Sequence, residues 1–441
     1  MSGIQMILLG ARGAASESYW LAELTGSGVD IVNGVAVGSA GDVYAVGIAS
    51  GPGAQLSPVQ KINTDGVMQW SKSYGNGSSG GAPSGGTNGY AAAVDSSGNL
   101  FFGGQILTGQ ECVVAKYDSS GSVQWQRQLS NSGSNDLIYG VATDSSGNVY
   151  AAGNIFSTGR GLIVKYDSSG NLQWQLEAQN TTSGGGTTFY GISVDSSANV
   201  YVVGENGGSV SGTPILVIKL DSSGTVQWKR RFYNSDNSRG YAVTTDSSGN
   251  VYVCARNEDS SVGRTVMWVL KLNSSGILQW SFSLTSNNAG GDEAKGIGVD
   301  SSGNVYISGF ARQGSPFYTT FQVIKCESTF ATLQWQREIT LPTNNVEATC
   351  IAISPTGVPY AAGRSSVPFY AKLPANGSGT GSYTINTRTY TYAASASTVG
   401  FPTIAQSASP VSINTSSYTD SSVSLSTSPP FTYTFTKAPV V

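Results

Sequence analysis

The residues best placed to do chemistry are acidic. Nine aspartates, Asp65, Asp95, Asp118, Asp144, Asp167, Asp195, Asp221, Asp246 and Asp300, recur in short Asp-x-Gly, Asp-Ser-Ser-Gly or Asp-Ser-Ser-Ala segments. Acids at a regular repeat raise the question of calcium. A helix-loop-helix calcium site needs alternating oxygen donors and a distant bidentate glutamate, and these segments supply neither. They read instead as tight turns, with Asp bonding its own backbone and Gly accepting a positive φ. The chain has no histidine, which removes His-based triads, His metal ligands and the easiest general base near neutral pH. A carboxylate pair can hydrolyse glycosides without histidine. Here, however, the repeated acids are absorbed by turns, and Glu205, Glu258, Asp259, Asp292 and Glu293 read as solvated loop charges. No catalytic residue, metal or cofactor is expected.

Cys112, Cys254, Cys326 and Cys350 fall at irregular spacings in apolar strand-like runs and read as reduced core thiols. With 23 Lys+Arg against 26 Asp+Glu and no basic run, nothing attracts nucleic acid or an anionic membrane surface. The short apolar run Ile4 to Leu9 precedes Arg12 instead of following a basic stretch, and no 18-residue apolar stretch exists. Neither a signal peptide nor a membrane span is expected. A collagen is excluded because the 57 glycines show no three-residue period, and 39% apolar residues give enough surface to fold.

The elements that must position any site come from a repeat of about fifty residues. A Val-Tyr element recurs at Tyr44, Phe101, Tyr150, Tyr201, Tyr252, Tyr306 and Tyr360. A tryptophan element recurs at Trp20, Trp70, Trp125, Trp174, Trp228, Trp280 and Trp335, leaving only Trp268 outside the series. Each repeat reads as four short strands, in the third copy Tyr139–Thr143, Asn148–Asn154, Leu162–Tyr166 and Leu172–Glu177. One such meander cannot stand alone, but seven arranged radially bury both faces of each. The expected fold is all-β: a seven-bladed β-propeller with four-stranded antiparallel blades. The two series are offset, so the strand around Trp20 should complete the blade that holds Tyr360 and close the ring. A tryptophan buried between blades predicts that Trp174→Ala costs ~3–5 kcal/mol.

The expected organisation is a lead-in or attachment segment at residues 1–18, the propeller at 19–373, and a β-type attachment segment at 374–441. That last stretch holds 27 Ser/Thr and only three charges, Arg388, Asp420 and Lys437. Alternation in Tyr383-Thr-Ile385, Thr389-Tyr-Thr-Tyr392, Val423-Ser-Leu425 and Phe431-Thr-Tyr-Thr-Phe435 has the strand period. Strand edges with so little charge should pair with the propeller flank, with identical copies of the chain, or with a larger assembly.

The strings Lys116-Tyr-Asp-Ser-Ser-Gly-Ser-Val-Gln-Trp125 and Gln69-Trp-Ser-Lys-Ser-Tyr-Gly75 resemble the propeller repeats of bacterial surface proteins and of bacteriophage structural proteins. The opening Met1-Ser-Gly-Ile-Gln-Met-Ile-Leu-Leu-Gly10 is similar to the starts of some phage virion proteins. Asp-x-x-Gly-x-x-x-Trp also approaches the tryptophan-docking repeat of quinone-dependent dehydrogenases and the aspartate boxes of sialidases. Both differ in spacing, and the adjacent cysteines of the former and the arginine triad of the latter have no counterpart here.

In a four-strand blade the Asp-Ser-Ser-Gly turns share one face and the variable loops emerge opposite. These include Ser73–Gly89, Ile155–Gly161, Glu205–Pro214, Arg256–Arg264 and Phe310–Thr319. One uniform face and one diversified face suggest a scaffold presenting loops, with Arg160, Arg256, Arg264, Phe317 and Tyr318 as candidate recognition residues. The resemblance implies a non-enzymatic virion structural protein, a tail or head appendage made in the host cytoplasm. Its partners would be other virion proteins and a host surface glycan or protein. The alternative is a bacterial secreted or surface carbohydrate-binding adhesin.

Overall fold

The computed structural model describes residues 2–9, 19–24, 31–51, 54–74, 86–130, 135–180, 185–207, 213–233, 237–260, 263–285, 291–312, 318–328, 333–341, 345–365, 367–378, 380–385, 388–394, 398–400, 405–408, 411–415, 419–422 and 433–437. All regular elements among them are strands, and they form seven sheets arranged as the blades of a propeller. No helix among the described residues is long and apolar enough to cross a membrane.

Blade three shows the plan. Leu137–Thr143, Val149–Ile155, Arg160–Tyr166 and Leu172–Asn180 pair antiparallel in that order, from the central channel outward. The two short turns are built by Asp144 and Asp167. Asp144 Oδ1 accepts the backbone N–H groups of Ser146 and Asn148, and its Oδ2 accepts the side chains of Asn148 and Tyr150. Eight of the nine turn aspartates work this way; in the ninth turn Asn63, not Asp65, receives the two N–H groups. Capping thus accounts for the repeated acids, and no cluster of three metal-ligating side chains exists among the described residues.

Apolar side chains on both faces of every blade merge with those of the neighbours into seven interblade cores. Three side chains opposite one another in register form a station in each blade: Tyr150, Lys165 and Trp174 in blade three. Across the seven stations the lysine ammonium lies 5.0–5.7 Å from the aromatic ring beside it. Each tryptophan Nε1 donates to a carbonyl of the next blade at 3.0–3.2 Å. The glycine ending a turn on the next blade often lies flat on that indole. A Cβ on Gly170, whose φ is +82°, would sit 2.7 Å from Trp125. These tryptophans are less deeply buried than expected: Trp20 and Trp335 are buried, the other five partly exposed, and Trp268 fills the core between blades four and five.

The ring closes through the N-terminal strand. Tyr19–Leu24 pairs with Pro368–Lys372 as the outer strand of blade seven, so Tyr360, Lys372 and Trp20 make a station from both halves of the chain. The Trp20 and Tyr360 rings are 6.3 Å apart, and both Trp20 Nε1 and Lys372 Nζ donate to the Thr64 carbonyl of blade one. All four cysteines are free, three of them buried.

The strands after residue 380 do not gather into a unit of their own. Arg388–Ala394, Thr398–Gly400, Ala405–Ala408, Val411–Thr415 and Thr419–Ser422 add antiparallel, one each, to the outer edges of blades six, five, four, three and two. Tyr433–Lys437 then pairs parallel with Ser2–Leu9, which itself extends blade seven beyond Tyr19–Leu24. The segment is a belt that runs round the rim against the chain order of the blades. Of the alternating segments read from sequence, Val423–Leu425 and residues 431–432 lie outside the described residues.

Candidate binding site in the central channel

Every innermost strand carries one residue more than its partner. In blade three Ile138 faces Gly153 and Gly140 faces Ala152, which leaves Tyr139 out of the ladder. The same register shift occurs in all seven blades, at Asn33, Tyr90, Tyr139, Tyr190, Tyr241, Lys295 and Thr349. A bulge re-aims a side chain that the sheet would otherwise hold, and all seven line the central channel, a cavity of about 450 Å³. Small neighbours let the innermost strands converge: a Cβ on Gly34 would lie 2.7 Å from the Ala92 nitrogen of the next blade.

Four consecutive blades contribute tyrosine, giving a crescent. Ring centroids are 5.3 Å apart for Tyr90 and Tyr139, 5.1 Å for Tyr139 and Tyr190, and 5.8 Å for Tyr190 and Tyr241. Lys295 ends the crescent with its ammonium 3.5 Å from the Tyr241 centroid. The opposite arc holds the smaller polar Asn33 and Thr349, so the open space lies against the rings.

Charged groups at the strand ends toward the loop face fix the crescent. Tyr190 donates to Glu205 at 2.8 Å, and Arg239 binds the same carboxylate at 2.7 Å while its guanidinium lies over the Tyr190 ring. Tyr241 donates to Glu293, which Lys295 pairs at 2.6 Å and Arg256 approaches at 3.5 Å. Burial pushes the Glu293 carboxyl up, but Lys295, Tyr241 and Arg256 outweigh it and leave the pKa below that of free glutamate. Burial, aided by repulsion from Arg239 and Arg256, holds the Lys295 ammonium below its ordinary value despite Glu293. Desolvation raises all four tyrosines, Tyr139 to about 12, so the rings are neutral phenols at physiological pH. Asn88 donates to the Tyr90 oxygen at 3.2 Å. The Tyr139 hydroxyl has no hydrogen-bond partner among the described residues.

Of the residues singled out from sequence, Arg256 alone reaches this site. Arg160 opens the third strand of blade three and pairs with Glu177 at 2.6 Å. Arg264 opens the third strand of blade five, Tyr318 precedes that of blade six, and Phe317 lies outside the described residues. The loop face also presents Phe156, 65% exposed. Three of the acids expected to be solvated loop charges are not: Glu205 and Glu293 anchor the crescent, Glu293 only 6% exposed, and Asp292 is buried and accepts the Arg312 backbone N–H at 3.3 Å. The missed signal was positional, since each bulge residue stands five places before the first residue of its turn, as Tyr139 does before Asp144.

A family described as the β-propeller repeat matches residues 124–159. No curated protein matches the chain. Among solved structures, the WD40 propeller domain of Doa1 superposes with a TM-score of 0.50 at 13% identity, over 81% of this chain and 97% of that domain. A gluconolactonase from Xanthomonas campestris gives 0.39 at 12% identity over 72% and 90% of the two chains. The propeller domain of the Trilobed protease from Pyrococcus furiosus gives 0.45 at 7% identity over 79% and 94%. At such identities the likeness concerns the fold alone: the chain is a seven-bladed β-propeller protein.

Proposed function

We propose that this chain is a non-enzymatic display protein that contacts surface carbohydrate through the loop-face mouth of its channel, carried on a phage particle as a tail or head appendage. The observation that carries the binding part is the tyrosine crescent. Aromatic faces take the apolar faces of sugar rings, while fixed polar groups beside them take the hydroxyls. The non-enzymatic part is supported by the state of the two carboxylates that anchor the crescent. Glu293 is held ionised by Lys295, and both oxygens of Glu205 are engaged by Tyr190 and Arg239, so neither is free to serve as the acid that glycoside cleavage requires. The virion part rests on the resemblance of the opening residues.

A glycan array probed with the full-length protein tests the binding, with Tyr139→Ala as the control. Retention on defined glycans that falls at least tenfold in the variant is expected. Retention on none, or equal retention by the variant, refutes the reading. Mass spectrometry of purified particles tests the virion assignment, which fails if the chain is missing from them.

A further inference from the structure

Beside the channel, on the loop face between blades four and five, lies a polar notch of about 220 Å³ lined by Glu205, Thr213, Asn237, Arg239, Arg256 and Glu258. Arg239 and Glu205 belong to both places: they form the wall of the notch and hold Tyr190 in the crescent. The two spaces are therefore adjoining parts of one concave surface, one aromatic and one purely polar.

The charges in this surface are already matched. Arg239 pairs with Glu205 at 2.7 Å and Lys295 with Glu293 at 2.6 Å. An anionic ligand would have to displace carboxylates from these cations, and a cationic one would find the Tyr190 and Tyr241 faces occupied by Arg239 and Lys295. A neutral polyhydroxylated ligand meets neither obstacle, because paired guanidinium and carboxylate groups keep donors and lone pairs to spare for hydroxyls. Two groups are held loosely enough to respond. Arg256 stands 3.5 Å from both Glu258 and Glu293, and the Tyr139 hydroxyl has no partner among the described residues.

We propose that the chain binds a neutral oligosaccharide of two or more hexose units, with one ring on Tyr139 and Tyr90 inside the channel mouth and the next in the notch, its hydroxyls met by Arg256, Glu258 and Asn237. This rests on the carbohydrate reading above and adds the charge class, the minimum length and the second subsite. The channel ring supplies stacking and desolvation. The notch supplies hydrogen-bond direction, and each hydroxyl matched to a charged group adds to affinity because the partners are fixed beforehand.

Calorimetric titration of the full-length protein tests this, using neutral gluco-, galacto- and manno-configured mono- and trisaccharides and uronate-containing trisaccharides. A neutral trisaccharide should bind at least tenfold more tightly than its monosaccharide and than the uronate chains. Arg256→Gln and Asn237→Ala should each bring the trisaccharide toward the monosaccharide level, Asn237→Ala carrying the test if Arg256→Gln fails to fold. Tighter binding of uronate chains, no effect of chain length, or no effect of either notch substitution overturns the two-subsite inference while the carbohydrate reading stands. If no sugar in the panel binds, that reading falls and this inference with it.

Discussion

Replacing Trp20 with alanine probes the one blade interface that no short turn secures. Six blades are meanders in which the outer strand follows directly from the third; in blade seven the outer strand arrives from the other end of the chain. Trp20 is 1% exposed and lies in the core shared by blades seven and one with Val32, Val43, Tyr360 and Tyr370. Burying a tryptophan removes ~150–250 Å² from water, ~4–6 kcal/mol as an upper bound at ~25 cal/mol/Å². Truncation in a packed core costs ~3–5 kcal/mol, and loss of the bond to the Thr64 carbonyl adds ~1 kcal/mol. Trp20→Ala should therefore lose ~4–5 kcal/mol. Trp174 sits at the equivalent station of blade three but is partly exposed, and its strand is tied to its neighbour by the Asp167 turn. Its replacement should cost ~2–3 kcal/mol, less than full burial implied. Urea unfolding of both variants, followed by far-ultraviolet circular dichroism, measures the difference. If Trp174→Ala loses as much as Trp20→Ala, or if Trp20→Ala loses under ~1 kcal/mol, the seam is not where closure is held.

Three further outcomes follow from the geometry. Gly170→Ala should cost ~2–3 kcal/mol, from its positive φ and from collision with Trp125; in a Trp125→Ala background the collision vanishes and only ~1–2 kcal/mol should remain, so equal urea losses in both backgrounds would refute the stacking. Deleting residues 381–441 should leave the blade spectrum intact while amides in Val123–Ser130, Leu172–Asn180 and Val226–Tyr233 exchange faster and the protein self-associates with concentration, because the belt pairs with those edges; a monomer with unchanged exchange contradicts this. With no histidine to titrate, acid stability follows the carboxylates. Glu293, Asp118, Asp167, Asp195 and Asp221 have depressed pKa values, so the stability they give is complete above the unfolded values near ~4 and is lost as pH falls through the folded ones. Glu338, raised by burial, has the opposite sign and is relieved as pH falls. Thermal midpoints should be flat from pH ~8 to ~5.5 and drop below ~4.5, less steeply in Glu293→Gln, and a step between pH ~6 and ~7.5 would refute the assignment.

The repeat made the blades legible because its signals are local. Asp-Ser-Ser-Gly specifies a turn by its own hydrogen bonds, and alternation specifies a strand face, so blade number, strand order and the role of Trp20 are written in the sequence. The belt could be read only halfway. Hydroxylated alternation marks Arg388–Ala394 as a strand, but its pairing with Leu333–Thr340 is made by backbone groups that carry no residue code. The candidate site was least legible, because a bulge is a property of two strands together. Tyr139 looks like any strand residue until Ile138 and Gly140 are seen to face consecutive residues of the partner. Glu205 and Glu293 misled for a similar reason: Arg239 reaches Glu205 from another strand, and Tyr241 and Arg256 reach Glu293 from other strands, although Lys295 lies two residues along its own.

Comparison among the seven repeats separates residues that build the ring from residues that use it. At the stations the chemistry hardly changes: an aromatic, a lysine and a tryptophan in every blade, because each must stack, carry a cation over the ring and reach a carbonyl of the next blade. At the bulges it changes from asparagine to tyrosine to lysine to threonine. A bulge residue is outside the ladder and faces the channel, so the fold places almost no demand on its identity. Four tyrosines in neighbouring blades therefore need a reason other than stability. Burying their rings against one another accounts for part of it, but it does not account for Glu205 and Glu293 being brought in, at the cost of desolvating two carboxylates, to hold the hydroxyls of Tyr190 and Tyr241 in place. That expense makes sense if ring orientation matters to something that enters the channel, which places the stacking part of recognition at the bulges, with the loop-face notch beside them adding only polar contacts.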